Sequence, residues 1–167
     1  RYRRAFTGTT YFFTVVTFRR RPILCDDAVR LALRHAIEQV RARLPFETDA
    51  MVLMPDHLHC IWTLPDGATN YSLRWSQIKH HVTYACGRLY PMTLSLSRQR
   101  RGAGTLWQRR SWEHQIRDET DMERHVDYIH FNPVKHGVVS AAADWPDSTF
   151  GRFVRAGIYA SDWGGNP

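Results

Sequence analysis

A chain of 167 residues has room for one ordinary domain with small appendages and none for two large ones. Its 43% hydrophobic and 13% aromatic content supplies a core and excludes wholesale disorder, while 23 basic against 16 acidic side chains leave +7 and point to a polyanionic partner. The longest apolar run near the start, Tyr11 to Phe18, includes Thr14 and Thr17 and is too short and too polar to cross a bilayer. Arg19, Arg20 and Arg21 follow where a secretory signal would put its cleavage site, so no membrane span and a cytoplasmic location are expected. Cys25, Cys60 and Cys86 are far apart and odd in number, which suits reduced, packing thiols.

In chain order, residues 11–18 are rich in Tyr, Phe, Val and Thr and read as a strand. Asp26 and Asp27 open a helix in which Val29, Leu33, Ile37, Val40 and Leu44 recur at helical spacing until Pro45. Two strand-like stretches, Thr48 to Met54 and His57 to Leu64, are parted only by Pro55 and Asp56. Ser72 caps a second expected helix with Trp75, Ile78, Val82, Ala85 and Leu89 on one face, ended by Pro91. A mobile basic loop follows, with Arg98, Arg100 and Arg101, and then a strand from Trp107 to Ile116. Thr120 and Glu123 have capping-box spacing and start a third helix near Asp121, which Pro133 should end at Asn132. Trp145, Phe150, Phe153, Tyr159 and Trp163 make the last stretch too aromatic for a free tail. This order fits an α+β fold of the ferredoxin-like kind, an antiparallel sheet with helices on one face and a C-terminal aromatic extension packed on it.

The sharpest local feature is Pro55-Asp56-His57-Leu58-His59. Side chains alternate along a strand, so His57 and His59 point the same way and can share one metal ion while Leu58 turns away. On the third helix His125, Tyr128 and Asn132 fall on one face. A phenol has a pKa of about 10, so Tyr128 as a nucleophile needs a base, a cation or a metal-polarised phosphate. Read from the helix alone, Tyr128 is more readily a packing residue.

These motifs, with Trp107-Gln108-Arg109-Arg110, Trp112-Glu113-His114 and the run Tyr128-Ile129-His130-Phe131-Asn132-Pro133-Val134-Lys135-His136-Gly137, resemble the REP-associated tyrosine transposases of the single-tyrosine HUH nuclease superfamily. The likeness spans nearly the whole chain, from Thr10 through Asp144-Trp145-Pro146 to Trp163-Gly164. It implies a nuclease domain over residues 1–137 with an extension over 138–167, a divalent metal, Mg²⁺ or Mn²⁺, and cleavage of single-stranded DNA beside hairpins formed by repetitive extragenic palindromes. It further implies that His57 and His59 are the two HUH histidines, Tyr128 the nucleophile that forms a 5′-phosphotyrosine, and Asn132 the third metal ligand. Ser111 stands where the family often has an aromatic residue, which puts a local stacking contact in doubt.

DNA contacts are expected from Arg19, Arg20, Arg21, Arg98, Arg100, Arg101, Arg109, Arg110, Lys135 and His136, with Trp107 and Trp112 as stacking platforms. The protein should act on the nucleoid. The aromatic C-terminal segment should cover a pairing surface and favour a monomer over a homodimer. Two other functions fit parts of the pattern. A non-catalytic DNA- or RNA-binding module would bind without regard to chelators, and a zinc-activated-water hydrolase would need more ligands than His57 and His59 and would survive loss of Tyr128.

Overall fold

A computed structural model describes residues 7–100 and 106–165. The strands β1 (Thr10–Val16), β2 (Glu47–Leu53), β3 (His57–Thr63) and β4 (Trp112–Gln115) form one sheet in the order β2-β3-β1-β4, every pairing antiparallel. The helices are α1 (Asp27–Arg43), α2 (Tyr71–Cys86), α3 (Leu96–Arg100), α4 (Glu119–Lys135) and α5 (Phe150–Arg155). This is the expected ferredoxin-like sheet, not closed into a barrel, with β2 and β4 as its outer strands.

The two central strands, β1 and β3, are buried on both faces. Alternation along β1 sends Tyr11, Phe13 and Val15 to one face, where they meet Val29, Leu33, Ala36 and Val40 of α1 and Trp75, Ile78 and Val82 of α2. Trp62 of β3 stacks on Trp75 there, with ring centroids 4.2 Å apart and planes 13° apart. Burial of each such side chain contributes about 1.5–3 kcal/mol. The helices, expected on one face, are instead divided between two, and α1 and α2 cover this one. A second layer covers the other face: Phe12 and Ile61 pack on Met122, Val126 and Ile129 of α4 and on Phe150, Phe153 and Tyr159 of the C-terminal segment.

Several boundaries differ from those read in the sequence. Asn70, not Ser72, is the residue before α2, and the strand expected from Trp107 narrows to Trp112–Gln115, with Trp107 making only an isolated bridge to Thr17. The expected basic loop contains α3, and residues 101–105 lie outside the described part. The cap of α4 is Asp118, whose carboxylate accepts from the Asp121 N–H at 2.8 Å. That helix also runs through Pro133, and its last turn closes at Gly137, whose φ of 69° suits a residue without Cβ. A proline removes one donor, but the face around it is fully packed, with Ile129, His130 and Asn132 all buried, so the helix continues at the loss of one bond. Asn132 therefore has a helical position, one turn beyond Tyr128.

The extension reaches the outer edge of β2. Leu53 N–H donates to Asp147 O at 2.8 Å, Thr149 N–H donates to Met51 O at 2.9 Å, and the Trp145 indole donates to Leu53 O at 2.9 Å, so the edge is covered.

Candidate active site

The β2–β3 turn is closed by the Met54 N–H donating to His57 O at 2.8 Å, which starts β3 at His57. Leu58 then enters the α1–α2 core, and His57 and His59 emerge on the α4 face, opposite Val16 and Thr14 of β1. Their rings are 4.8 Å apart, and both are about nineteen-twentieths buried, at 6% and 5% exposure. From the facing helix, Tyr128 brings its ring to 5.1 Å from that of His59. Asn132 places Oδ1 at 3.2 Å from His57 Nε2, and Lys135 sets Nζ 4.8 Å above the Tyr128 ring. A cleft of about 580 Å³ opens here, with Phe12, Trp112, His125 and His136 also in its wall.

Hydrogen bonds fix the imidazoles. Asp56 Oδ1 lies 2.7 Å from His57 Nδ1, and a carboxylate can only accept, so Nδ1 carries the proton. Burial opposes ionisation of Asp56, yet hydrogen bonds from His57 and Arg20 outweigh it and hold its pKa below the ordinary carboxylate value. The His57 Nε2 lone pair then faces the carbonyl oxygen of Asn132, two acceptors converging on one point. Buried Asn132 Nδ2 has no hydrogen-bond partner among the described residues. A divalent cation satisfies such a pair, so the donor set fits a metal. His59 Nδ1 is 2.8 Å from Thr14 Oγ1, and burial, helped by positive charge at His57, His136 and Lys135, pushes its pKa down to about 3. It is neutral at pH 7, as a ligand must be.

One wall stores strain. Arg19 and Arg20 have φ of 56° and 52°, a left-handed conformation that costs L-residues roughly 1–2 kcal/mol each. The turn carries the Arg20 guanidinium to Asp56 Oδ2 at 3.2 Å and into the cleft.

Comparison with known proteins shows the family. The IS200-like transposase family matches residues 5–132. The REP-associated tyrosine transposase of Escherichia coli (strain K12) is 46% identical over 99% of this chain and 91% of its own length. A putative REP-associated tyrosine transposase of Haemophilus influenzae (strain ATCC 51907 / DSM 11121 / KW20 / Rd) is 44% identical over 99% and 94%. The chain belongs to the REP-associated tyrosine transposases. A solved structure of such a transposase bound to a REP hairpin matches with a TM-score of 0.79 and 46% identity, over 99% of this chain and 92% of that one. The family is one of transposases, enzymes that cut and join DNA.

Within this REP-associated tyrosine transposase the basic residues divide between the two faces of the sheet. Arg20, Lys135 and His136 join Trp112 at the cleft that holds Tyr128; the His136 ring is 5.2 Å from that of His57, and burial lowers its pKa. Arg98, Arg109 and Arg110 border a groove of about 600 Å³ on the α2 face together with Lys79, which was not among the expected DNA contacts. Lys79 donates to Gln108 O at 3.2 Å and to Ser111 Oγ at 2.9 Å, and burial pushes its pKa down to about 8. Ser111 thus serves as a hydrogen-bond acceptor where the family often has an aromatic ring. Arg19 lies over Phe18 and Arg21 donates to Tyr90 O, while Arg100 ends α3 in the open. Arg101 lies outside the described residues. Trp107, expected as a stacking platform, is 5% exposed: it packs with the α1–α2 core and also borders the α2-face groove, and its backbone bridges Thr17. Asp56 and Thr14, which orient the two histidines, carried no sequence signal beyond lying beside or across the strand from them. No described helix is long and apolar enough to cross a membrane.

Proposed function

We propose that this chain is a metal-dependent enzyme that nicks and rejoins single-stranded DNA beside REP-type hairpins, with Tyr128 as nucleophile. The observation that carries the reading is the convergence of His57, His59 and Tyr128 in one cleft, with buried Asn132 placing Oδ1 against His57 Nε2 behind it. Tyr128 Oη bonds to phosphorus and its proton leaves, the P–O3′ bond breaks, and the released 3′-oxygen takes up a proton. The products are a 5′-phosphotyrosine and a free 3′-hydroxyl. Attack by another 3′-hydroxyl reverses the step and joins new ends.

His57, His59 and Asn132 would hold Mg²⁺ or Mn²⁺. When bound, the ion supplies charge neutralisation and polarisation at the scissile phosphate. Two imidazoles beside an amide oxygen suit Mn²⁺, whereas phosphate oxygens in the remaining positions suit Mg²⁺. Lys135 and Arg20 place cations beside the phenol and the phosphate, and Asp56 and Thr14 keep both imidazoles in their ligating tautomers. Residues 1–137 carry the chemistry and residues 138–167 brace it; the protein works as a monomer on nucleoid DNA in the cytoplasm. The hairpin named for the solved relative supports the choice of DNA.

The test is incubation of a labelled, hairpin-flanked single strand with Mg²⁺ or Mn²⁺, followed by denaturing electrophoresis. Wild type should form a protein–DNA adduct that Tyr128→Phe and a chelator both abolish. No adduct with wild type, or the same adduct with Tyr128→Phe, would overturn the reading. A binding module without chemistry leaves the converged acceptors of His57 and Asn132 with no role.

A further inference from the structure

Beside the cleft, and separated from the His57–His59 pair by one ring, lies a second set of metal-binding side chains. Phe12 sits between His59, at 5.4 Å, and His125, at 4.8 Å, measured between ring centroids. Beyond it His114 of β4, Asp121 and His125 of α4 each bring a donor atom to within 4.8 Å of the others. The His114 and His125 rings are stacked 4.6 Å apart with 17° between their planes. His114 Nε2 is 2.8 Å from Asp121 Oδ2, and His125 Nδ1 is 3.2 Å from Asp121 Oδ1 and 2.8 Å from Asp121 O.

We propose that His114, Asp121 and His125 form a structural site for a borderline transition cation of the Zn²⁺ class, separate from the metal at His57, His59 and Asn132. A tetrahedral Zn²⁺ bound at about 2.0–2.2 Å needs its donors roughly 3.3–3.5 Å apart. The two imidazole–carboxylate distances reach that spacing with movements of less than an ångström. Two imidazoles and one carboxylate select Zn²⁺, Co²⁺ or Ni²⁺ over Mg²⁺. His114 and His125 keep 26% and 21% of their side chains exposed, so an ion can enter and water can fill the fourth position. Asp121 is 8% exposed; burial opposes its ionisation, but bonds from His114 and the Arg117 N–H outweigh this and hold its pKa below the carboxylate norm. Arg117 also places Nε 3.4 Å from Oδ2 from a mostly exposed position, and would swing away as the ion takes that lone pair.

The location gives the site its work. The four-residue strand β4 is an edge with one neighbour, β1, and α4 carries Tyr128 one turn beyond His125. An ion bridging His114 to Asp121 and His125 ties that edge to the helix and sets how far Tyr128 stands from His59.

The experiment is titration of the full chain with Co²⁺, read by calorimetric stoichiometry and by visible d–d absorption. Wild type should bind two equivalents. His57→Gln/His59→Gln should keep one, with a tetrahedral spectrum, and His114→Gln should lose that one, its affinity falling at least about 100-fold, while keeping the other. One equivalent in wild type, none in the double variant, or a second equivalent that survives in His114→Gln would each overturn the proposal. Should the double variant fail to fold, wild type against His114→Gln decides by the loss or retention of one equivalent. No readout depends on DNA cleavage, so failure here is distinct from failure of Tyr128 as nucleophile.

Discussion

His57 Nε2 and Asn132 Oδ1 stand 3.2 Å apart although their residues are 75 positions apart in the chain. With the Nδ1 proton held by Asp56, both atoms are acceptors, and a positive centre between them makes the contact favourable. Asn132→Ala should therefore weaken Mn²⁺ binding about 10–100-fold, while the thermal midpoint moves little, because Nδ2 makes no hydrogen bond to any described residue. A calorimetric Mn²⁺ titration checks the first part and a melting curve the second. Unchanged affinity would remove Asn132 from the ligand set.

Asp56 acts on the same centre through His57. Asp56→Asn replaces an obligate acceptor with a group that can also donate, so the imidazole is free to take the other tautomer and present Nε2–H to the ion. Metal affinity should drop about tenfold, and adduct formation should recover at high Mn²⁺. An effect that excess metal leaves uncorrected would mean that Asp56 acts on the fold, through Arg20 and the strained turn, instead of on the metal.

Lys79 makes a prediction about pH. Its pKa is about 8 in the folded chain against 10.5 unperturbed, because burial penalises the ammonium. Between these values the unfolded chain binds more protons than the folded one, so stability rises with pH across the window from 8 to 10.5. Below pH 8 the burial penalty is present in full. Denaturant midpoints for wild type and Lys79→Met, compared across that window, should show wild type gaining about 1–2 kcal/mol relative to the variant. A constant difference would mean that the ammonium is already well solvated.

Local pattern carried much of this architecture. Alternation through Tyr11, Phe13 and Val15, the helical period of Val29, Leu33 and Val40, and the shared face of His57 and His59 are each consequences of backbone geometry that any packing partner preserves. The i, i+4 pair Tyr128 and Asn132 belongs to the same class. What pattern could not carry depends on contacts distant in sequence. The burial around Pro133 keeps α4 intact where local geometry argues for a stop, and packing with the α1–α2 core buries Trp107 although its basic neighbours suggest a surface. The link from Arg20 to Asp56 needs two successive left-handed residues, which no arginine announces. The second helical layer follows from α4 crossing to the far side of the sheet after the edge strand β4, a choice of topology that its amphipathic face leaves open.

The extension over residues 138–167 should prove inseparable from the domain it covers. Tyr159 donates to Asp127 Oδ1 at 2.5 Å and has its hydroxyl 3.4 Å from His130 Nδ1, while His130 Nε2 is 2.8 Å from Thr149 Oγ1. His130 and Asp127 flank Tyr128 on α4, so this network braces the helix from behind. Tyr159→Phe removes the donor to Asp127 and should cost about 1–3 kcal/mol, measured by denaturant unfolding, with the adduct still formed at temperatures where the variant is folded. Truncation after Gly137 goes further, since it strips Phe150, Phe153 and Tyr159 from the α4-side core and leaves Phe12, Ile61 and Ile129 facing water. Loss of several such contacts, each worth about 1.5–3 kcal/mol, is comparable to the whole 5–15 kcal/mol by which domains of this size are stable. The truncated chain should show no cooperative melting transition and should bind a hydrophobic dye. A sharp transition near that of the full chain would make residues 138–167 an appendage and locate the stability of α4 wholly in its contacts with the sheet.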